Sequence, residues 1–209
     1  MNLSHNSRVY LVASTHEPQK LIEQCARISY QSSNTENDPK VTADFIRGLV
    51  CKGHESPLEH ASATFLIKNI SRACSHQFVR HRLMSITQRS DRYSVPDGKF
   101  VNPFVPGTHE REELDKAFKF SWDTYKSLLE AGFKKEDARL VLPTASVTSL
   151  YATANFREWR HFLELRLSKH AQWEIRAVAE EILDHLLRLA PDCFFDFDPA
   201  KKGLGHDNA

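Results

Sequence analysis

Between Arg80 and Ser94 the chain reads RHRLMSITQRSDRYS, where Arg80, His81, Arg82, Arg89 and Arg92 stand against one acid, Asp91. Guanidinium groups offer forked donors that match phosphate oxygens, and Ser85, Thr87, Gln88, Ser90 and Ser94 supply side chains for the remaining lone pairs. The chemistry this pattern suits is the capture of an anion. A solvated basic loop is the other reading that composition leaves open. Arg80 and Arg82 closely follow the apolar Phe78 and Val79, which favours a pocket. Ser90 has the chemistry of a nucleophile, but the sequence fixes no base beside it, so a phosphate contact is the better reading.

A second signal is Arg166. It follows Phe162 and Leu163 at helical spacing and so falls on an apolar stripe. Asn155 lies about three turns earlier, at ~3.6 residues per turn, and projects the same way. A buried arginine needs an anion or acceptor, because leaving it unpaired costs several kcal/mol. A structural salt bridge to Glu174 or Glu180 would satisfy it as well as a substrate would. Histidines are a third signal: GHESPLEH holds His54 and His60, and His76 and His81 follow. Their spacing writes no metal site, and no metal is expected. There is no glycine-rich phosphate loop, so a nucleotide would be held by arginines and amides.

These residues belong to a chain of 209 with Lys+Arg 28 against Asp+Glu 27, a formal charge of +1 and a hydrophobic share of 41%. That composition is globular, and the near balance of charge argues against a general nucleic-acid binder. The basic character is local. Four scattered cysteines, Cys25, Cys51, Cys74 and Cys193, read as free thiols in a reducing compartment. The first residues lack the pattern of a signal peptide, and no apolar run approaches the ~20 residues that span a bilayer. A soluble, cytoplasmic protein without membrane partners is expected.

The elements that must position the arginines alternate in type. Strands are expected at 8–14, 63–70 and 146–154. Helices are expected at 19–30, 41–53, 72–82, 113–132, 134–142, 156–168 and 171–190, with residues 31–40 and 83–110 mostly loop. Ser56, Pro57 and Glu59 spell a capping box; Ser71 and Asn155 are expected caps. The fold class is α+β, a mixed central sheet flanked by helices in a single domain over 1–195, with a frayed tail at 196–209.

RHRLMSITQRS matches the R-H-R-x7-S motif of flavin-dependent thymidylate synthases, and the chain resembles that family further. GHESPLEHASATF, SRACSHQFVRHR, ARLVLP, ATANFREWRHFLELR and HAQWEIR follow the family pattern in order. The resemblance covers most of the chain from Ala26 to Pro191. It implies a homotetramer with FAD sites shared between subunits, which methylates dUMP to dTMP. Methylenetetrahydrofolate would give the carbon unit, FAD would carry hydride, and NADPH would be the reductant.

The resemblance also implies residue roles. Ser56, Arg80, His81, Arg82, Asn155, Arg157 and His161 would contact FAD, His54 would sit near its ring, and Gln88 would contribute. Gln77, Arg80, Gln88, Arg89, Ser90, Arg92 and Arg139 would hold dUMP. Arg166 would face the uracil ring as the catalytic group, stabilising negative charge there. Where this chain has Gln88 and His161, some relatives carry Glu and Asn, and Arg89 replaces a more usual apolar residue. A nucleic-acid-binding module using the basic 80–92 cluster is the alternative of another class.

Overall fold

The computed structural model describes residues 8–29, 31–32 and 38–198. Four strands, β1 (Val9–Ser14), β2 (Ser62–Ser71), β3 (Ser85–Gln88) and β4 (Val147–Asn155), form an antiparallel sheet in the order β1-β2-β4-β3. The helices are α1 (Pro18–Ile28), α2 (Pro39–Cys51), α3 (Arg72–Phe78), α4 (His109–Glu130), α5 (Lys135–Ala138), α6 (Phe156–Arg166) and α7 (Trp173–Leu189). The class is therefore α+β. The chain divides into two compact units.

The first unit holds residues up to 66, 81–85 and those from 151 onward. Its core forms where β2 alternates: Ala63 and Phe65 point inward, and Phe65 meets Trp159 edge-on at 5.1 Å. Trp159 is fully buried and keeps its indole N–H satisfied by donating to the Ala63 carbonyl at 3.1 Å. An aromatic of this size carries much of a core's burial when its one polar atom has a partner. Helix α6 starts where Asn155 accepts a bond from the Glu158 amide at 2.8 Å. Helix α7 presents Ile175, Val178, Ile182 and Leu186 to the interior, all fully buried at helical spacing.

The second unit holds residues 67–80 and 86–150. Ser71 caps α3 by accepting from the Cys74 amide at 2.9 Å. Helix α3 ends at Phe78, so Arg80 and Arg82 lie beyond it rather than on its last turn. The segment after it is not all loop, because Ser85–Gln88 pairs as β3. Helix α4 buries only Phe118 and Tyr125. Gly98, at φ +69°, lies under the Trp122 ring where a Cβ would come within 2.7 Å of it, so only glycine fits.

Two local expectations are corrected. Ser56 does not cap a helix: residues Ser56–His60 form a 3-10 turn without a side-chain cap, and the Glu59 carboxylate is bonded to Arg157 instead. Glu55 occupies the cap position of this turn, so Ser56 is its first residue and its hydroxyl is not placed to cap. The chain also stays anchored past residue 195, since Asp196 takes two bonds of 2.7 Å from Arg160. Residues 199–209 of the expected tail lie outside the described residues, as do 33–37 of the expected loop.

Candidate active site

In the first unit, α6 lines a cleft of about 1070 Å³ with Asn155, Arg157 and His161; Leu83 and Glu59 also reach it. That is at the upper end of ligand pockets, roughly 300–1,000 Å³. The cleft lies beside the N-terminus of an eleven-residue helix, where backbone amides and the macrodipole favour an anion. Asn155 spends its oxygen on the cap, which leaves its amide N–H₂ as donor toward the cleft. Arg157 is exposed and paired with Glu59. Exposed pairs are worth ~0–1 kcal/mol, so a bound phosphate can take this guanidinium over.

At the other end of α6, Arg166 Nε donates to His81 Nε2 at 3.0 Å. An imidazole can accept there only if it is neutral with its proton on Nδ1. The surroundings enforce this state: burial, then the Arg166 guanidinium and His161, lower the His81 pKa from 6.5 to about 4. His81 is 4% exposed and packs on the Phe162 ring at 5.0 Å. Its Nδ1 lies 3.6 Å from Glu158, close to the carboxylate but too far for a hydrogen bond. Arg166 therefore has a neutral acceptor at Nε, which orients the guanidinium without cancelling its charge.

Arg82 is exposed beside Leu83, and Ser56 is exposed beside Glu55, another residue of the cleft wall. His54 is placed differently, in a separate cavity of about 420 Å³ with Asp44, Phe45 and Lys52. The sequence reading passed over Arg160, which is buried and locked by Glu55, Asp196 and the Cys193 carbonyl. Burial pulls its pKa down, but the bonds and charges of Asp196 and Glu55 outweigh that and leave it raised. Arg160 shares the REWRH run of α6 with Arg157 and His161. Nothing in sequence distinguishes the buried arginine from the exposed one, although both line the cleft.

The second unit carries the rest. Arg80 is exposed and Gln77 half-buried. Gln88 is turned inward, donating to Ser75 at 3.0 Å and Thr148 at 3.2 Å. Arg89 is laid along β4: its guanidinium donates to the Val147 carbonyl, and its amide to the Ser149 carbonyl at 3.0 Å. Ser90 Oγ accepts from the Arg92 amide at 3.3 Å, which leaves its O–H to donate. Arg92 Nε donates to the Glu136 carboxylate at 3.1 Å, and Arg139 Nε to the Glu136 carbonyl at 3.2 Å. Ser90, Arg92 and Arg139, with the exposed Arg80, are thus outward donors of this unit. With Arg89 turned inward, Arg72 paired to Asp91 and Arg92 paired to Glu136, the cluster is no uniform basic stripe of the kind a nucleic-acid module needs. Among the described residues no three His, Cys, Asp or Glu converge as a metal site.

Fold and site define an α+β enzyme built to hold anions with arginines and a helix N-terminus. Comparison with known proteins makes the class specific. A family model described as thymidylate synthase complementing protein matches residues 10–192. The flavin-dependent thymidylate synthase of Saccharolobus solfataricus is 39% identical over 194 residues, covering 89% of this chain and 75% of that one. That of Geobacter sulfurreducens is 39% identical over 203 residues, covering 92% and 87%. The crystal structure of a UMP/dUMP methylase, PolB from Streptomyces cacaoi, bound with 5-Br dUMP, superposes with a TM-score of 0.80 at 30% identity, covering 90% and 93%. The chain belongs to the flavin-dependent thymidylate synthase family.

Proposed function

We propose that this protein converts dUMP to dTMP, with methylenetetrahydrofolate as carbon donor, FAD as hydride carrier and NADPH as reductant, in a homotetramer of the cytoplasm. The observation that supports it most is the Arg166–His81 pair beside the α6 cleft. A guanidinium that keeps its charge and is fixed by a neutral imidazole is suited to a pyrimidine ring that gains negative charge on activation. Because it is oriented beforehand, its stabilisation is not spent on reorganisation.

The cleft's donors fit FAD. Asn155, Arg157 and the first turn of α6 would receive its phosphates, and His81, Arg82 and His161 its remaining polar edge; Arg80 and Ser56 complete the set proposed for it. The flavin, when bound, supplies the hydride. Ser90, Arg92 and Arg139 would hold the nucleotide phosphate, and Arg92 would exchange Glu136 for the substrate dianion. Gln77 and Arg80 would complete the nucleotide set, with Gln88 and Arg89 reaching it through main chain. Ser90 has no bonded base among the described residues, so its hydroxyl serves as a donor rather than a nucleophile.

The test is an anaerobic absorption spectrum of the protein with FAD and NADPH, with and without dUMP. A flavin band that bleaches with NADPH, at a rate changed by dUMP, supports the reading. No flavin binding at saturating FAD overturns it. Repeating the titration with UMP decides whether the ribose is discriminated, a question raised by the dual substrate of the Streptomyces methylase.

A further inference from the structure

Asp91 is the one acid among the arginines of residues 80–94, set between two residues proposed above to grip the substrate phosphate. A carboxylate there works against the anion the segment is meant to attract, so its presence needs a reason. The structure supplies one. Ser90 is half-buried and Arg92 exposed, but Asp91 is turned inward and only 4% exposed. Its Oδ2 forms an ion pair with Arg72 Nη2, and the same Nη2 lies 3.4 Å from the carbonyl oxygen of Arg89. One guanidinium thus ties both the side chain of Asp91 and the backbone two residues before it.

Arg72 is itself fixed at the start of α3, where its amide donates to the Ser146 carbonyl at 3.0 Å. The outer side of the segment is closed by Ser94, whose amide and hydroxyl both donate to the Ser90 carbonyl, at 3.1 and 2.8 Å. On the inner side lies the buried Tyr125 hydroxyl, which feels the Asp91 charge: burial first, and Asp91 second, raise its pKa. Asp91 Oδ1 and this hydroxyl are both buried without a hydrogen-bond partner among the described residues. The inner face is therefore sealed from solvent, and its charge is matched by Arg72.

We infer that Asp91 is a positioning residue of the phosphate site: held by Arg72, it fixes the Arg89–Arg92 turn so that the Ser90 hydroxyl and the Arg92 guanidinium face the substrate. The inference rests on the substrate reading above. Because Asp91 is neutralised by Arg72, it does not repel the dianion, and the outward cations keep their full effect. Truncating it would release the turn and leave Arg72 uncompensated.

The experiment measures dUMP affinity by titration calorimetry, and KM and kcat, for wild type, Asp91→Asn, Arg72→Met and the double variant, with FAD binding and Tm as controls. The expected result is a dUMP KM and Kd raised about tenfold in each single variant. FAD affinity should be unchanged, kcat within about threefold, and the double variant little worse than either single. That non-additivity is the mark of two groups acting as one unit. Lower Tm with unchanged dUMP affinity would reduce the pair to a structural role and overturn the inference. Tighter dUMP binding in Asp91→Asn would overturn it too, by showing the carboxylate to be an opposing charge. If wild type itself fails to bind dUMP, the substrate reading falls. Inorganic phosphate then serves as probe, and equal phosphate affinity in wild type and Asp91→Asn sinks the positioning role.

Discussion

At the scale of single residues, Arg166 and His81 carry the sharpest consequences. Arg166→Ala should lower kcat by about 10²–10³, the cost of removing one preorganised charge-stabilising donor. FAD binding should survive, since Arg166 is not among the cleft residues; stopped-flow bleaching of the flavin by NADPH separates the two effects. His81 makes a prediction about pH. Its folded-state pKa is about 4, below the 6.5 of the exposed side chain. Between those values the unfolded chain binds a proton that the folded one refuses, so stability rises with pH across that window. The contribution is fully present above about pH 6.5 and is lost as pH falls toward 4. It amounts to roughly 3 kcal/mol, at 1.36 kcal/mol per pKa unit. Denaturant unfolding at pH 4.5 and 7 should show this slope in wild type and a shallower one in His81→Asn. Equal slopes would mean that His81 is not held neutral.

At the scale of elements, two of the three expected caps were legible because they are local chemistry, and the Ser56 box was not. Ser71 and Asn155 each place an oxygen three residues before an otherwise unbonded amide, and both accept the bond expected of them. The long helices and the strands at β1, β2 and β4 were legible from periodicity. Strand β3 was not: SITQ is too short to show alternation, and it is a strand because its backbone pairs with β4. The inward turn of Arg89 was hidden for the same reason, since its partner is a carbonyl 58 residues away. The role of Asn155 can be divided by substitution. Asn155→Ala should cost about 1 kcal/mol through the lost cap and weaken FAD as well. Asn155→Asp keeps the cap but aims a carboxylate at the place proposed for the flavin phosphates. Its Tm should match wild type while its FAD affinity falls by at least tenfold. If both variants bind FAD normally, Asn155 is only a cap.

At the scale of the whole molecule, the question is what covers the apolar side chains the fold leaves outside. Leu83, in the wall of the α6 cleft, is 80% exposed, and in the second unit Leu140 is 81% and Phe120 76% exposed. Single exposed apolar residues are ordinary, and one that lines a cleft can be covered by the ligand or by a second subunit. Helix α4 adds to this, because it offers 22 residues and buries two. The homotetramer proposed above would cover such residues and would make cofactor binding depend on assembly. Leu83→Asp should then lower the oligomeric state measured by light scattering and weaken FAD binding in step, with FAD affinity rising as protein concentration rises. Leu140→Asp, in the other unit and not among the cleft's lining residues, tests assembly without touching the cleft, with dUMP affinity as a control because Arg139 adjoins it. If Leu83→Asp stays tetrameric yet loses FAD, the cleft needs Leu83 for direct contact and not for assembly. If both variants remain assembled with FAD bound, these side chains lie outside the subunit contacts, and α4 becomes the face to test next.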